Sequence, residues 1–166
     1  MLSSMAEEMH KHPNIHLLWV GDGYWATRLL KRVEELGIKD RVHAPGLVTP
    51  ETIPAWARAM DVVVHPSYRE GLPRAVVQGL LSARPVVAYD LDGAPEVCIP
   101  GETGFLVKPG DVIELRRAIN TLREDPALAS TLGDRGREHC RVAYDWREMV
   151  QKLQAVYEDI LGSTHA

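Results

Sequence analysis

Glu70 is followed directly by Gly71, Leu72 and Pro73, and Gln78 lies eight positions after it. That separation is about two turns of a helix, so an acid overhanging a helix start and an amide further along the same face could touch one ligand. Pro73 suits the opening of the helix, where its missing N–H costs nothing. The first turn offers unpaired N–H groups at the positive end of the helix dipole, and Gly71 lets a ligand approach the backbone. Phosphate oxygens fit that description. A carboxylate repels a diphosphate but accepts hydrogen bonds from sugar hydroxyls, which places Glu70 beside the phosphates. An activated sugar combines both demands. Taken singly, each residue also has a plainer reading: Glu70 as a charge on the helix dipole and Gln78 as a solvated helix residue.

These residues need elements to hold them. The run Asp61-Val62-Val63-Val64-His65, closed by Pro66-Ser67, reads as a buried strand ending in a loop. A second strand, Pro85 to Asp90, ends in another polar loop, Asp90-Leu91-Asp92-Gly93-Ala94-Pro95-Glu96. Before them the pattern predicts a helix from Ser4 to His12, a strand from Ile15 to Val20, a helix from Tyr24 to Leu36, a short strand over Arg41 to Ala44 and a helix from Pro50 to Met60. After them come a strand, Gly104 to Val107, and amphipathic helices over Val112–Glu124, Pro126–His139 and Trp146–Leu161. The alternation predicts an α/β fold with a doubly wound, Rossmann-like parallel sheet and ligands outside the strand carboxyl ends. Residues 1–161 form one domain on this reading, and the tail 162–166 frays.

A rival reading attaches to Gly21-Asp22-Gly23-Tyr24-Trp25-Ala26, since G-x-G-x-x-A between a strand and a helix matches an NAD-binding fingerprint. That fingerprint wants an acid at the end of the next strand to hold the ribose. Here the strand ends in His43-Ala44-Pro45-Gly46, which counts against the reading.

The series His65-Pro66-Ser67, Glu70-Gly71-Leu72-Pro73-Arg74, Pro85-Val86-Val87-Ala88, Gly93-Ala94-Pro95-Glu96-Val97 and Gly101-Glu102-Thr103-Gly104-Phe105-Leu106-Val107 resembles the nucleotide-sugar-binding half of a retaining GT-B glycosyltransferase of the group 1 family. The resemblance implies transfer of a hexose from a nucleoside diphosphate sugar to an acceptor hydroxyl, without a metal or other cofactor. It implies a catalytic, sugar-orienting role for Glu70, and donor-binding roles for Gly21, Gly23, Ser67, Gly71, Leu72, Pro73 and Gln78. Two departures stand out. Gln78 replaces the second of a pair of glutamates usual in the family, so the ribose contact loses its charge, and Asp92 replaces a usual glycine.

The resemblance also implies an opening strand with a Gly-Arg-Leu…Lys-Gly motif, central to the sheet, and nothing before Ser4 supplies it. The expectation is therefore a donor-domain fragment, inactive alone, with a gap between two parallel strands and with the acceptor-binding domain upstream. A non-catalytic nucleotide-sugar-binding module or subunit is the alternative.

Composition bounds the rest. A chain of 166 residues with net charge −4 and scattered basic residues suits one globular domain and argues against nucleic acid as a partner. Arg69, Arg74 and Arg84 cluster near the proposed site, with Arg84 read as surface. Cys98 and Cys140 have no metal or redox spacing and read as buried or half-buried thiols. Among the histidines, His10, His12 and His165 read as exposed or terminal, His16 and His43 as strand residues, and His65 as a structural residue able to reach a ligand. Trp19, Tyr24, Trp25, Trp56 and Trp146 read as core or cleft walls. No apolar run reaches membrane-spanning length and no secretory signal is legible, so a cytoplasmic location is expected, with peripheral membrane association of a longer enzyme left open.

Overall fold

Every strand of the structure runs parallel to its neighbour, and the strands fall into two sheets. The computed structural model describes residues 1–163. In chain order the elements are α1 (Leu2–Lys11), β1 (Leu17–Val20), α2 (Ala26–Glu35), β2 (Val42–Gly46), α3 (Ile53–Arg58), β3 (Val63–His65), α4 (Arg74–Leu81), β4 (Val86–Tyr89), α5 (Ala94–Val97), β5 (Gly104–Val107), α6 (Val112–Glu124), α7 (Pro126–Ala143) and α8 (Trp146–Ser163). β1 pairs with β2, with Leu17 opposite Val42 and Leu18 opposite His43. The second sheet has the order β3-β4-β5, with His65 opposite Ala88 and Val87 opposite Phe105.

Among the described residues no ladder joins β1 to β3, so the expected single doubly wound sheet is divided in two. The alternating parallel architecture is as expected, and the division puts unpaired strand edges where the sequence implied a gap.

β4 explains most of the packing. Its four residues are all buried, as befits a strand covered on both faces, and their side chains alternate between two cores. Val86 and Ala88 join Val76 and Leu80 of α4, Val97 of α5, and Cys98 and Cys140. Val87 and Tyr89 face Leu115, Ile119 and Leu122 of α6 and Leu132 of α7. A third core gathers Ala6 and Met9 of α1, Val33 of α2 and Ile38, with Leu17 and Val42 packed against them.

α1 is anchored on α6 by a carboxylate. Glu8 accepts hydrogen bonds from Asn120 Nδ2 at 3.0 Å and Lys11 Nζ at 3.1 Å, with Arg116 Nε at 3.9 Å. The Asn120 bond first, then the Lys11 bond, holds its pKa below the usual carboxylate range.

Several boundaries differ from the sequence expectation. α2 starts at Ala26, because Ala26 N–H bonds Gly23 O and Tyr24 and Trp25 are spent in the turn. The helix expected over Pro50–Met60 is a 3₁₀ turn, Pro50–Thr52, followed by α3. α7 continues past His139 to Ala143, and α8 includes Gly162 and Ser163, which were expected to fray. The rest of that tail and His165 lie outside the described residues. Tyr24 and Trp146 are exposed, contrary to the expectation of core or cleft walls; Trp25 is exposed but lines a groove, and Trp19 and Trp56 are half-buried. α8 leaves Met149, Leu153, Val156, Tyr157 and Ile160 exposed along its length. No described helix is long and apolar enough to cross a membrane.

Candidate functional site

His65, the last residue of β3, delivers the chain into the loop that precedes α4. Within it Ser67 Oγ donates to Arg69 O at 3.3 Å and sits 3.5 Å from Arg69 N, folding the loop back on itself. Pro73 is the N-cap residue, one position earlier than expected, with φ −74° and ψ 90°, and it is buried. No side chain caps α4. The first N–H groups of that helix therefore point toward the loop without a side-chain acceptor, and they carry the positive end of its dipole.

Glu70, in the loop that leads into this helix, lies between two neighbours. Its Oε1 lies 3.2 Å from His65 Nε2. That nitrogen is buried and makes no hydrogen bond, so the contact is one of proximity. On the main chain, Glu70 N–H donates to Asp92 Oδ2 at 3.0 Å, joining the loop after β3 to the loop after β4. Asp92 adopts φ +51°, a left-handed conformation that an aspartate tolerates better than most residues. The two loops meet so closely at Gly93 that a Cβ there would lie 2.1 Å from Gly71 O. Over Gly71 itself there is open space. Arg69, Glu70, Gly71, Asp92, Gly93 and Glu96 line a shallow cleft across this junction.

The cleft brings together Glu70 and Gly71 of the residues expected from sequence. Ser67, Leu72 and Pro73 shape the same loop without lining it. Gln78 is half-buried further along α4 and does not line the cleft either. Gly21 and Gly23 follow β1 on the other sheet: Gly21, at φ +121°, donates to Gly46 O at 2.9 Å, and both glycines have open space above them. Asp92, Gly93 and Glu96 belong to the cleft although sequence reasoning had assigned them no role. The signal was present in the loss of a glycine at Asp92, but the partner of its carboxylate could not be read from spacing.

Other candidates resolve into structure. Arg84 precedes β4, at the strand end away from the cleft, and donates to Arg58 O at 2.7 Å; it is half-buried, not a free surface cation near the site. Burial pushes the Cys98 thiol up to about 12 and the Cys140 thiol up to about 11, which keeps both protonated and inert. His16 and His43 stack on each other across β1 and β2, with Nδ1 and Nε2 3.0 Å apart. Among the described residues, no group of three or more His, Cys, Asp or Glu side chains is placed to hold a metal ion. A second groove runs along α2, lined by Trp25, Arg28, Leu29, Lys31, Arg32 and Glu35.

Known proteins place this arrangement. The family described as "Glycosyl transferases group 1" matches residues 1–139. The MMP alpha-(1->4)-mannosyltransferase of Mycolicibacterium hassiacum is 34% identical over 137 residues, covering 82% of this chain and 33% of the relative. The 2-deoxystreptamine glucosyltransferase of Streptomyces kanamyceticus is 30% identical over 97% of this chain and 42% of its own length. The chain thus spans less than half of either relative. Sucrose-phosphate synthase from Thermosynechococcus elongatus superposes with a TM-score of 0.88 at 30% identity, over 98% of this chain and 42% of that one. HepE of Anabaena, solved in complex with UDP, gives 0.85 at 27% identity over 94% of this chain and 44% of its own. With more than four-fifths of its length matched by the family and its parallel strands superposing on those of GT-B enzymes, this chain belongs to the group 1 glycosyltransferases.

Proposed function

We propose that this domain binds a nucleoside diphosphate sugar at the start of α4, as the donor half of a retaining hexosyltransferase. The observation that carries the proposal is the start of α4 without a side-chain cap, preceded by a loop in which Gly71 has open space above it and the Glu70 carboxylate lies against His65. The diphosphate sits on the helix N–H groups, with Arg69 adding positive charge beside them. As the bond from the anomeric carbon to the phosphate oxygen breaks and the acceptor oxygen takes its place, negative charge grows on the leaving diphosphate. A preorganised helix start stabilises that charge without reorganising, so the proposal calls for no metal. Glu70 accepts hydrogen bonds from the sugar, Gln78 is assigned to the ribose, and Gly21 and Gly23 leave room for the far side of the donor cleft. A longer protein would supply the acceptor-binding half. The relative solved with UDP supports the ligand class.

A second reading is a binding module without turnover. The neutral amide at Gln78 favours it, since an amide makes a weaker hydrogen bond than a carboxylate by roughly a factor of two.

The test is a thermal-shift panel on the 166-residue chain with UDP, GDP, ADP and NAD. A ligand that binds the folded state alone, at one hundred times its Kd, adds about 2.7 kcal/mol of stability. A rise with one nucleoside diphosphate is the expected result. A rise with NAD alone would overturn the proposal. Release of nucleoside diphosphate from the sugar donor in the presence of an acceptor separates the enzyme from the binding module.

A further inference from the structure

We propose that Asp92 is a specificity-determining residue of the cleft, presenting an oriented carboxylate that admits neutral or amino sugars and turns away sugars bearing a carboxylate. The inference rests on the nucleotide-sugar reading of the site and names the class of sugar it takes.

Three observations carry it. The Asp92 side chain is fixed at one end: Oδ2 accepts the Glu70 N–H at 3.0 Å, while Oδ1 has no hydrogen-bond partner among the described residues, and the residue is exposed at the cleft. A carboxylate held in this way offers a preplaced acceptor at little cost in side-chain entropy. The backbone is committed as well, because Asp92 stands at φ +51° and the next residue, Gly93, presses on Gly71 with no room for a Cβ. Swinging the carboxylate clear gives up its bond from Glu70 N–H.

The third observation is the charge balance. Of the six residues lining the cleft, Glu70, Asp92 and Glu96 are acids and Arg69 is the lone base. The diphosphate finds its positive partners in the start of α4 and in Arg69, which leaves the three acids of the wall to face the sugar. The wall suits hydroxyl donors and ammonium groups, both of which give hydrogen bonds to carboxylates. A uronate would place a like charge against it.

Asp92→Asn and Asp92→Gly separate the roles. Asparagine tolerates the left-handed backbone and keeps an acceptor for Glu70 N–H while removing the charge; glycine fits the backbone and removes both. Isothermal titration with two matched pairs, UDP-glucose against UDP-glucuronate and GDP-mannose against GDP-mannuronate, reads the preference for the neutral sugar. With UDP or GDP binding as the reference, the preference is expected to fall by about fivefold or more in both variants, the size of one like-charge contact at partial exposure. Amide exchange at Glu70 is expected to stay slow in Asp92→Asn and to speed up in Asp92→Gly. If the nucleoside diphosphate binds but the neutral-to-acidic ratio is the same in the wild type and both variants, the inference is overturned and the nucleotide-sugar reading stands. If the wild type binds no nucleoside diphosphate, that reading fails and the inference falls with it.

Discussion

The Nε2 of His65 sits 3.2 Å from the Oε1 of Glu70, so the final residue of β3 backs a carboxylate of the loop that leads into α4. The two residues are joined by a loop that turns on Ser67, and the strand places the imidazole before the loop places the acid. Removing the acid and removing its backing should therefore differ in degree. A hydrogen bond to a charged group is worth about 1.5–3 kcal/mol, so Glu70→Ala should weaken a sugar donor by roughly tenfold to a hundredfold. His65→Ala should weaken it less, since the carboxylate remains. Neither change should alter affinity for the bare nucleoside diphosphate. Titration calorimetry with UDP and UDP-glucose on both variants checks this, and an equal loss for both ligands would place Glu70 elsewhere than at the sugar.

Gly93 makes the second prediction. A Cβ at this position would lie 2.1 Å from Gly71 O and 3.4 Å from Leu72 Cα, both of them backbone atoms that cannot rotate away. Gly93→Ala must push the loop after β3 off the loop after β4, breaking the Glu70 N–H bond to Asp92. Overpacking of this kind costs about 1–3 kcal/mol, so the variant should fold with a lowered midpoint. Its affinity for nucleotide sugar should fall further than its stability does. Chemical denaturation beside ligand titration separates the two effects.

That junction also marks how far the sequence could be read. The strand Gly104–Val107 and the helix Val112–Glu124 fall where residue patterning puts them, because each is bounded by its own signals: glycines before the strand, and an aspartate cap before the helix. Glu70 and Gly71 were legible for the same local reason. The bond between Glu70 and Asp92 was not, because it links residues on different loops through a backbone donor that leaves no mark in composition. α2 is shorter than the expected Tyr24–Leu36, because the spacing of Leu29, Leu30 and Val33 fixes the helix but not its start, and the turn closed by Ala26 N–H on Gly23 O takes up Tyr24 and Trp25. The split of the sheet follows from which strands exist to pair, and the motif reading had it only through family resemblance.

Glu8 gives a pH dependence. Its carboxylate is 7% exposed and its folded pKa lies below the unfolded value of 4.5, chiefly through the Asn120 hydrogen bond. A depressed carboxylate contributes stability that is present above the unfolded pKa and is lost as pH falls through the folded one. Glu8→Gln should therefore melt below the wild type near neutrality, and the difference should shrink as pH drops below 4.5. Melting curves from pH 7 down to about pH 3 test the sign, since other carboxylates titrate in both proteins alike. A gap that widens on acidification would mean that Glu8 does not anchor α1 to α6 through its charge.

α8 turns Trp146, Met149, Leu153, Val156 and Tyr157 to solvent, each more than half exposed except Leu153, which stands at 50%. The spacing of three and four residues puts them on one stripe, the pattern of a helix that packs against a partner surface. Within the described residues none of them belongs to a buried core cluster, whereas α7 ends in a real anchor, with Tyr144 Oη donating to Glu96 O at 2.8 Å. The helix accordingly contributes little to the stability of the domain while exposing a continuous apolar face, which favours association. Ending the chain after Asp145 should shift the thermal midpoint by less than about 2 °C, the scale of a fraction of a kcal/mol in a domain of this size. The same truncation should reduce concentration-dependent self-association in sedimentation velocity. A large fall in the midpoint would show that the stripe is packed on this domain in solution, and an unchanged sedimentation profile would show that it drives no association.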